Sequence, residues 1–404
     1  MKGIALRSLT VFVIGFMIAG ESYSHEEVRL PEEGLRVSAT LAPTYRSMQL
    51  VEKNERWIVP GFLMGGEAYP MPKGFSMDEL FLAGTYSEND VYAYLKVGQH
   101  AGGSELEVEH ALVGVRALGD TLLEAGHMSG DFSPFNKVHA SATPYADSLL
   151  LYDTLWGRQY NDSGVRIRAP LLKSGVDLGF EYWQGGSFPS RRAKTSEGAY
   201  DLFIDYAWSH EDTRVRLGSF YYRGYAIGRK DDRYSSSHSH SEADVVFPIY
   251  YFDGKSDVIG VSGRIEFKIA ATVLTGEGEY QIATSEGKLR DATRESPIET
   301  RYRAYWWGVS ARREQNLIGL RYERLAFTND IEGPSAAALV DLAGLKGNKD
   351  PYRISVAYNY LTKSALTLKA EWMRDLSTRR KIDSATLGLV WFKDVMLSGD
   401  HEAL

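Results

Sequence analysis

The sequence predicts an all-β fold: a transmembrane antiparallel β-barrel of about sixteen strands, within a range of 14 to 18, with long extracellular loops and an infolded constriction loop. Three observations carry this. Apolar and polar residues alternate with period two in segments of about ten residues, the length of a tilted strand that crosses a bilayer. The connections between these segments are alternately tight and long, as barrels with short periplasmic turns and long outer loops require. The chain holds 25 Tyr, 16 Phe, 8 Trp and no Cys in 404 residues. Its mean hydropathy of -0.29 is the average expected when lipid-facing and lumen-facing residues alternate.

The chain opens MKGIALRSLTVFVIGFMIAG, with Lys2 and Arg7 ahead of an apolar run from Leu9 to Ala19 and the small-residue site Ser22-Tyr23-Ser24. This reads as a signal peptide over 1–24 for export to the outer membrane of a Gram-negative bacterium. The run is too short to span as a helix, which needs about 20 residues. Residues 25–56 are expected as a periplasmic or lumenal lead-in, since LRVSATLAPTYRS alternates only weakly; an inward arm or a further strand is the alternative. The barrel is expected over 57–394 and a tail over 395–404, with no linker dividing the chain.

Alternation places strands at 57–67, 76–87, 90–99, 104–117, 120–128, 162–170, 175–185, 198–209, 212–227, 256–269, 271–284, 301–313, 315–327, 351–361, 364–375 and 382–394. In PYRISVAYNYL, for example, Tyr352, Ile354, Val356, Tyr358 and Tyr360 share one face, and Arg353, Ser355 and Asn359 the other. An even count returns both termini to the side of the short turns. Long loops are expected at 128–161, 186–197, 228–255, 285–300 and 328–350, with VVFPIYYF at 245–252 inside an outer loop because Pro248 argues against a central strand. Aromatic pairs near strand ends, Tyr182-Trp183, Tyr221-Tyr222, Trp306-Trp307 and Trp391-Phe392, suit the headgroup level.

A formal net charge of -7 shows no basic excess, which excludes nucleic acid as a partner. Without cysteine the fold holds by packing and hydrogen bonds, with no disulfide. No cofactor is implied.

Over residues 104–170 the order of features is more specific. Glu109-His110-Ala111, Ala125-Gly126, Gly130-Asp131-Phe132, Asn136 with His139, Tyr145 to Leu150, and Asn161-Asp162-Ser163-Gly164 resemble outer-membrane porins related to phosphate-selective porins and their relatives. The resemblance implies a passive channel for small hydrophilic solutes or ions. It also implies outer-membrane lipid, lipopolysaccharide and the barrel-assembly machinery as partners, and allows a homotrimer. The sequence departs from that pattern in lacking a lysine-rich lumen and a terminal Phe.

Within this frame GHMSGDFSPFNKVH, residues 126–139, begins the constriction loop, where Asp131, Asn136, Lys137, His139, Asp147, Asp153 and Arg158 would supply the charges that narrow the pore. Asn136 and Gly130 are expected to set turns. The pore wall is expected to carry Arg166, Arg168, Arg214, Arg216, Arg264, Lys268, Arg303, Arg321, Arg353 and Lys369, with Glu266, Glu277, Glu279, Glu323 and Glu371. Opposed charges create a transverse field that passes polar solutes, and the arginines lean it toward anions. The rival reading is a plugged barrel serving as a lipid hydrolase or adhesin. It would need Ser133 beside a base such as His127, and no nucleophile-elbow pattern surrounds them. In SSSHSHSE, His238 and His240 beside Glu242 could hold a metal, though solvated histidines on a Ser-rich loop are the commoner case, and no metal site is assigned.

Overall fold

The computed structural model describes residues 33–48, 71, 73–100, 106–117, 120–171, 175–192, 198–230, 249–345, 350–377 and 381–397. Sixteen antiparallel strands close into one barrel: β1 (Gly34–Arg46), β2 (Gly74–Glu88), β3 (Val91–His100), β4 (Glu107–Arg116), β5 (Leu122–Ser129), β6 (Asn161–Pro170), β7 (Val176–Trp183), β8 (Ala199–His210), β9 (Thr213–Arg229), β10 (Tyr251–Ile269), β11 (Thr272–Arg290), β12 (Glu295–Arg313), β13 (Asn316–Ile331), β14 (Tyr352–Leu361), β15 (Leu366–Asp375) and β16 (Ile382–Leu397). Each strand pairs with its neighbours in sequence, and β1 pairs with β16 from Leu35↔Leu397 to Arg46↔Thr386. Two short helices, α1 (Leu150–Leu155) and α2 (Ala336–Ala343), lie in connections.

The hairpins at one rim are tight. Asn89, Glu211, Ala270 and Glu314 each adopt positive φ as the first turn residue, the geometry that matches hairpin turns to strand twist. Connections at the other rim include 130–160 and the α2 segment between β13 and β14. The even count brings both ends of the barrel to the short-turn rim.

Three expectations are corrected. The first strand is Gly34–Arg46, within the stretch read as a lead-in, and the strand expected at 57–67 lies outside the described residues. Alternation on β1 is faint because its central inward positions between Arg36 and Arg46 are small or weakly polar, Ser38, Thr40, Ala42 and Thr44, opposite Leu35, Val37, Ala39 and Leu41. The loop expected at 285–300 is a hairpin: β11 runs to Arg290 and β12 resumes at Glu295, in unbroken register from Thr272↔Arg313 to Arg290↔Glu295. Polar residues on both faces hid these strands, which extend past any apolar belt. β16 likewise continues to Leu397 rather than stopping at residue 394, because β1 offers it partners that far. Tyr251 and Phe252 begin β10, while 245–248, His238, His240, the expected signal peptide and the last seven residues lie outside the described residues.

The outer surface is a belt of exposed apolar side chains, with Leu387 and Ile318 each 59% exposed and Leu82, Val261 and Val309 among their company. Water would not support so large an apolar surface; hydrocarbon would, and closure leaves the barrel no unpaired strand edge to expose to it. Alternation also divides each aromatic pair. Tyr182 and Trp307 face outward, while Trp183, Tyr222 and Trp306 are buried inside.

Val309→Arg, mid-belt on β12, is expected to lower folding stability in lipid vesicles by about 2–4 kcal/mol, whereas Arg303→Leu nearer the long-loop rim should change it by less than ~1 kcal/mol. Equilibrium denaturant titration in vesicles reads both.

Candidate functional site: a loop folded into the barrel

Residues 130–160 leave β5, cross the lumen and return to β6. Asn136 ties the two ends together. Its Nδ2 donates to the carbonyls of Gly130 (2.9 Å) and Tyr160 (3.0 Å), and its Oδ1 accepts the Tyr160 N–H at 2.8 Å. The Gly130 N–H also donates to Tyr160 O at 3.0 Å. Asn supplies two donors and an acceptor in one plane, which is what a neck of two antiparallel backbone segments needs.

Between its ends the loop is bound to the wall almost all the way round. Asp131 accepts from Arg168 at 2.8 Å and pairs with Lys137, and its own N–H donates to Glu181. Lys369 donates to the carbonyls of Ala140 (2.7 Å), Thr143 (2.6 Å) and Tyr145 (3.0 Å). The Ala146 N–H donates to Glu371 at 2.6 Å and the Leu150 N–H to Glu323 at 2.5 Å. Arg353 donates to Ser148 O, and Arg321 donates to Asp147 O while lying 4.2 Å from the Tyr145 ring centre. Trp156 Nε1 donates to Gln281 at 3.0 Å. Wall side chains thus pair the backbone groups that an irregular segment cannot pair with itself.

Two β-bulges place the acids for this. In β2 the register with β1 slips between Ala42↔Glu79 and Pro43↔Met77, leaving Asp78 unpaired. In β4 the register with β3 slips between His110↔Lys96 and Val108↔Val97, leaving Glu109 unpaired. A bulge breaks the strict alternation of faces, so Asp78 with Glu79, and Glu109 with His110, all face the lumen. Asp78 and the loop's Asp147 then share Arg46, at 2.6 and 3.1 Å, with the guanidinium fully buried. Burial tends to raise the Asp147 carboxyl, but the surrounding Arg46, Arg353 and Arg321 outweigh it and hold the group below the usual carboxylate range. Its contribution is therefore present above the unfolded carboxyl's titration point and is lost only as pH falls through the lower folded value. Asp153 is raised instead, chiefly by burial.

An apolar layer backs these contacts. Phe132, Leu150, Leu151, Tyr152, Leu155, Trp156 and Tyr160 of the loop join Trp183, Phe203, Phe220 and Tyr222 of the wall in one buried cluster. Phe220 lies flat on β10 because Gly260 is beneath it; a Cβ there would come within 2.1 Å of the ring. The large-aromatic positions of the inner wall, Trp183 and Tyr222 among them, were invisible as loop contacts in the sequence because each sits beside an outward aromatic.

The loop residues singled out from sequence have separate places. Asp131, Asn136, Lys137, His139 and Asp147 bind wall or neck, and Asp153 is buried on α1 with Arg353 4.0 Å away. Arg158 takes a left-handed φ and meets Met71. Among wall residues, Arg303 is misassigned: it pairs with Ile282 and Ala326 and faces outward with Trp307 and Val309, while Tyr302, Ala304 and Trp306 face in. RYRAYWW is aromatic on both parities, so alternation alone did not fix the face. Arg166, Arg321, Glu323, Arg353, Lys369 and Glu371 do face inward but are nearly fully buried, Arg353 being 1% exposed. They hold the loop and other wall residues rather than meet water. Solvent reaches the inner wall near the short-turn rim of β8–β12, at Asp205, Arg214, Arg216, Arg264, Glu266, Lys268, Glu277 and Arg312. Arg216 stands directly opposite Arg264, and Arg214 opposite Glu266.

Ser133 and His127, the pair that a hydrolase reading would need, are not brought together. Ser133 is fully buried, donates to Glu279 at 2.9 Å and accepts from Tyr152 at 2.8 Å, while His127 faces Ser163 at 3.3 Å. Among the described residues no three His, Cys, Asp or Glu side chains gather as a metal site.

Neither a protein-family model nor a curated protein sequence matches the chain. Solved structures do. A loop L8 deletion mutant of OmpT, an outer membrane protein of Vibrio cholerae, aligns at TM-score 0.54 and 11% identity over 89% of this chain and 99% of its own. The outer membrane channel DcaP of Acinetobacter baumannii aligns at TM-score 0.51 and 12% identity over 89% and 96%. In-vitro folded Vibrio cholerae OmpT in a trimer form aligns at TM-score 0.50 and 12% identity over 90% and 100%. At these identities the likeness is one of fold.

Asn136→Ala is expected to cost about 1–3 kcal/mol, because the Tyr160 N–H and the Gly130 carbonyl lose the Asn136 side chain in a buried neck, while the Tyr160 carbonyl keeps the Gly130 N–H. Asn136→Asp keeps the acceptor for the Tyr160 N–H but sets a buried carboxylate oxygen against the two carbonyls, so it should cost more; thermal unfolding of the detergent-solubilised protein compares the two.

Proposed function

We propose that this barrel is an outer-membrane channel for passive diffusion of small hydrophilic solutes or ions, with a preference for anions. The observation that carries the reading is the solvent-reached wall of β8–β12. Arg214, Arg216, Arg264, Lys268 and Arg312 outnumber Asp205, Glu266 and Glu277 there, although the whole chain is acidic. Arg264 is shared between Glu266 at 2.6 Å and Glu277 at 3.4 Å. Arg216 stands opposite it on the next strand, so the two cations lie side by side on the solvent-reached wall. Such a wall raises the local concentration of anions and lowers that of cations. The wall is built from arginines and a single lysine, which suits small anions in general rather than phosphate in particular.

Outer-membrane placement, export by residues 1–24, insertion by the barrel-assembly machinery and contact with lipopolysaccharide are parts of the same proposal, supported by the closed sheet and its apolar belt. A homotrimer is likewise proposed, in keeping with the trimer form of the OmpT structure.

A second reading, a barrel closed by its own loops and acting as an adhesin or hydrolase, has one observation in its favour. Inward residues nearer the long-loop rim, such as Phe252, Leu289, Tyr302, Leu325 and Leu339 of α2, are buried. Planar-bilayer recording separates the two. The channel reading expects stepwise openings, a reversal potential in a salt gradient on the anion side, and a shift toward cations of several-fold in permeability ratio in Arg216→Glu with Arg264→Glu. A silent bilayer would overturn it, and lipid hydrolysis lost in Ser133→Ala would establish the rival.

A further inference from the structure

Arg303 of β12 points away from the lumen, and its surroundings differ from those of the other outward arginines near the long-loop rim. On the outer face it stands between Ile282 of β11 and Ala326 of β13, with Arg301 and Tyr305 two positions along its own strand. Its diagonal neighbours, about 7–8 Å away on the adjacent strands, are Tyr280, Thr284, Arg324 and Thr328. None of these eight residues is an acid. Arg324 is the nearest charge on either neighbouring strand, and Tyr305 and Tyr352 stand directly opposite it on its two sides. Its guanidinium donates to Asp350 at 2.8 Å while its side chain stays 45% exposed. Arg223 and Arg374, also outward, are instead each held across a strand pair, by Asp257 at 2.6 Å and by Asp383 at 2.7 Å.

Height decides what Arg303 and Arg324 meet. Arg303 lies ten residues along β12 from Arg313 at the tight turn. At about 3.3 Å per residue along a strand tilted by about 40°, that is a rise of roughly 25 Å, the height of the apolar band of such a barrel. Trp307 and Val309 lie below it on the same face, both exposed. Beside Arg324 the rings of Tyr305, Tyr322 and Tyr352 form a row with centres 6.1 and 6.3 Å apart, as suits the headgroup level. The acids of this face, Glu286, Glu299 and Asp330, share one row four positions further from the tight turn. There Arg301 pairs with Glu299 at 2.6 Å and Lys255 with Glu286 at 3.1 Å.

We propose that Arg303 and Arg324 form a lipid-phosphate site on the outer face of β12–β13, holding the headgroup of a phosphorylated lipid in the leaflet at the long-loop rim while its chains lie on the belt below. The inference rests on the reading that this belt lies in a membrane. A guanidinium presents a planar fork of donors to phosphate oxygens. A phosphate monoester carries about two negative charges, which matches two arginines better than the single charge of a diester headgroup. The hydroxyls of Tyr305 and Tyr352 offer further donors.

The full-length protein refolded into phosphatidylcholine vesicles, with a minor fraction of either phosphatidate or phosphatidylglycerol, tests this. Insertion is read from the heat-modifiable gel mobility of a closed barrel, and the lipid retained after gentle detergent extraction from native mass spectrometry. Relative to the vesicle composition, phosphatidate should be retained about tenfold over phosphatidylcholine, the factor that one hydrogen bond to a charged group supplies, and also in preference to phosphatidylglycerol. Arg303→Gln with Arg324→Gln should bring the ratio to within about twofold of unity. Arg313→Gln, which removes an outward arginine at the opposite rim, should leave it unchanged. Inorganic phosphate added during extraction should not displace the lipid, because it has no chains to lie on the belt; full displacement would mean an ion site and overturn the lipid one. Equal retention of phosphatidate and phosphatidylcholine by the parent chain, or an undiminished ratio in the double variant, would overturn the site while insertion stands. Failure to insert would instead remove the membrane reading and the site with it.

Discussion

The pairing of β1 with β16 is the interaction on which everything else depends. A sheet of sixteen strands left open would present two rows of unpaired N–H and C=O groups, each costing several kcal/mol in hydrocarbon. Closure removes both rows at once, and it also creates an inside. The inward set of side chains, small on the middle of β1 and larger and charged on β6–β15, then faces a confined space instead of bulk water. Long-range register, Leu35 against Leu397 at one end of the chain and the other, is what turns alternating residues into a wall.

That confined space is where the loop between β5 and β6 becomes possible. An irregular segment of this length would carry unsatisfied backbone groups into a buried position, and the wall answers them individually: Lys369 for three carbonyls, Glu371, Glu323, Glu181 and Glu79 for N–H groups, and Asn136 for the neck. Buried ions are costly unless paired, and the two bulges supply pairing where regular alternation would turn every second acid outward. Asp78 beside Arg46 and Glu109 beside His100 are products of the same device. The loop in turn converts a charged inner wall into two regions, one dry and structural, the other wet and cationic on β8–β12. The proposed channel function rests on the second, because only charges in contact with water could act on a solute there.

Much of the architecture was legible in the sequence because period two is a local property. Ile354, Val356 and Tyr358 declare their face without reference to any other strand, and turns such as Glu88-Asn89-Asp90 declare theirs. The reading failed where locality fails. On β12 both parities carry aromatics, so Arg303 was placed on the wrong side. On β1 the inward residues are too weakly polar to contrast with their neighbours. Around 285–300 the strands rise beyond the apolar belt and lose the pattern that belt imposes. The loop residues Asp131, Asn136, His139 and Asp147 were recognisable as a cluster of polar groups in a long connection, but their partners were not, because Arg46, Glu79, Lys96 and Lys369 are distant in the chain and ordinary in their local context.

The sequence by itself determined that this chain is a barrel of about sixteen strands and that its longest early loop is chemically rich. These follow from hydropathy period, turn residues and loop lengths, all of which act over a few residues. Only the tertiary structure decided which charges are wet and which are buried, and why Ser133 faces Glu279 instead of a histidine. Those outcomes depend on closure, on two bulges and on a loop crossing the lumen, and desolvation at each site is set by atoms contributed from the whole circumference.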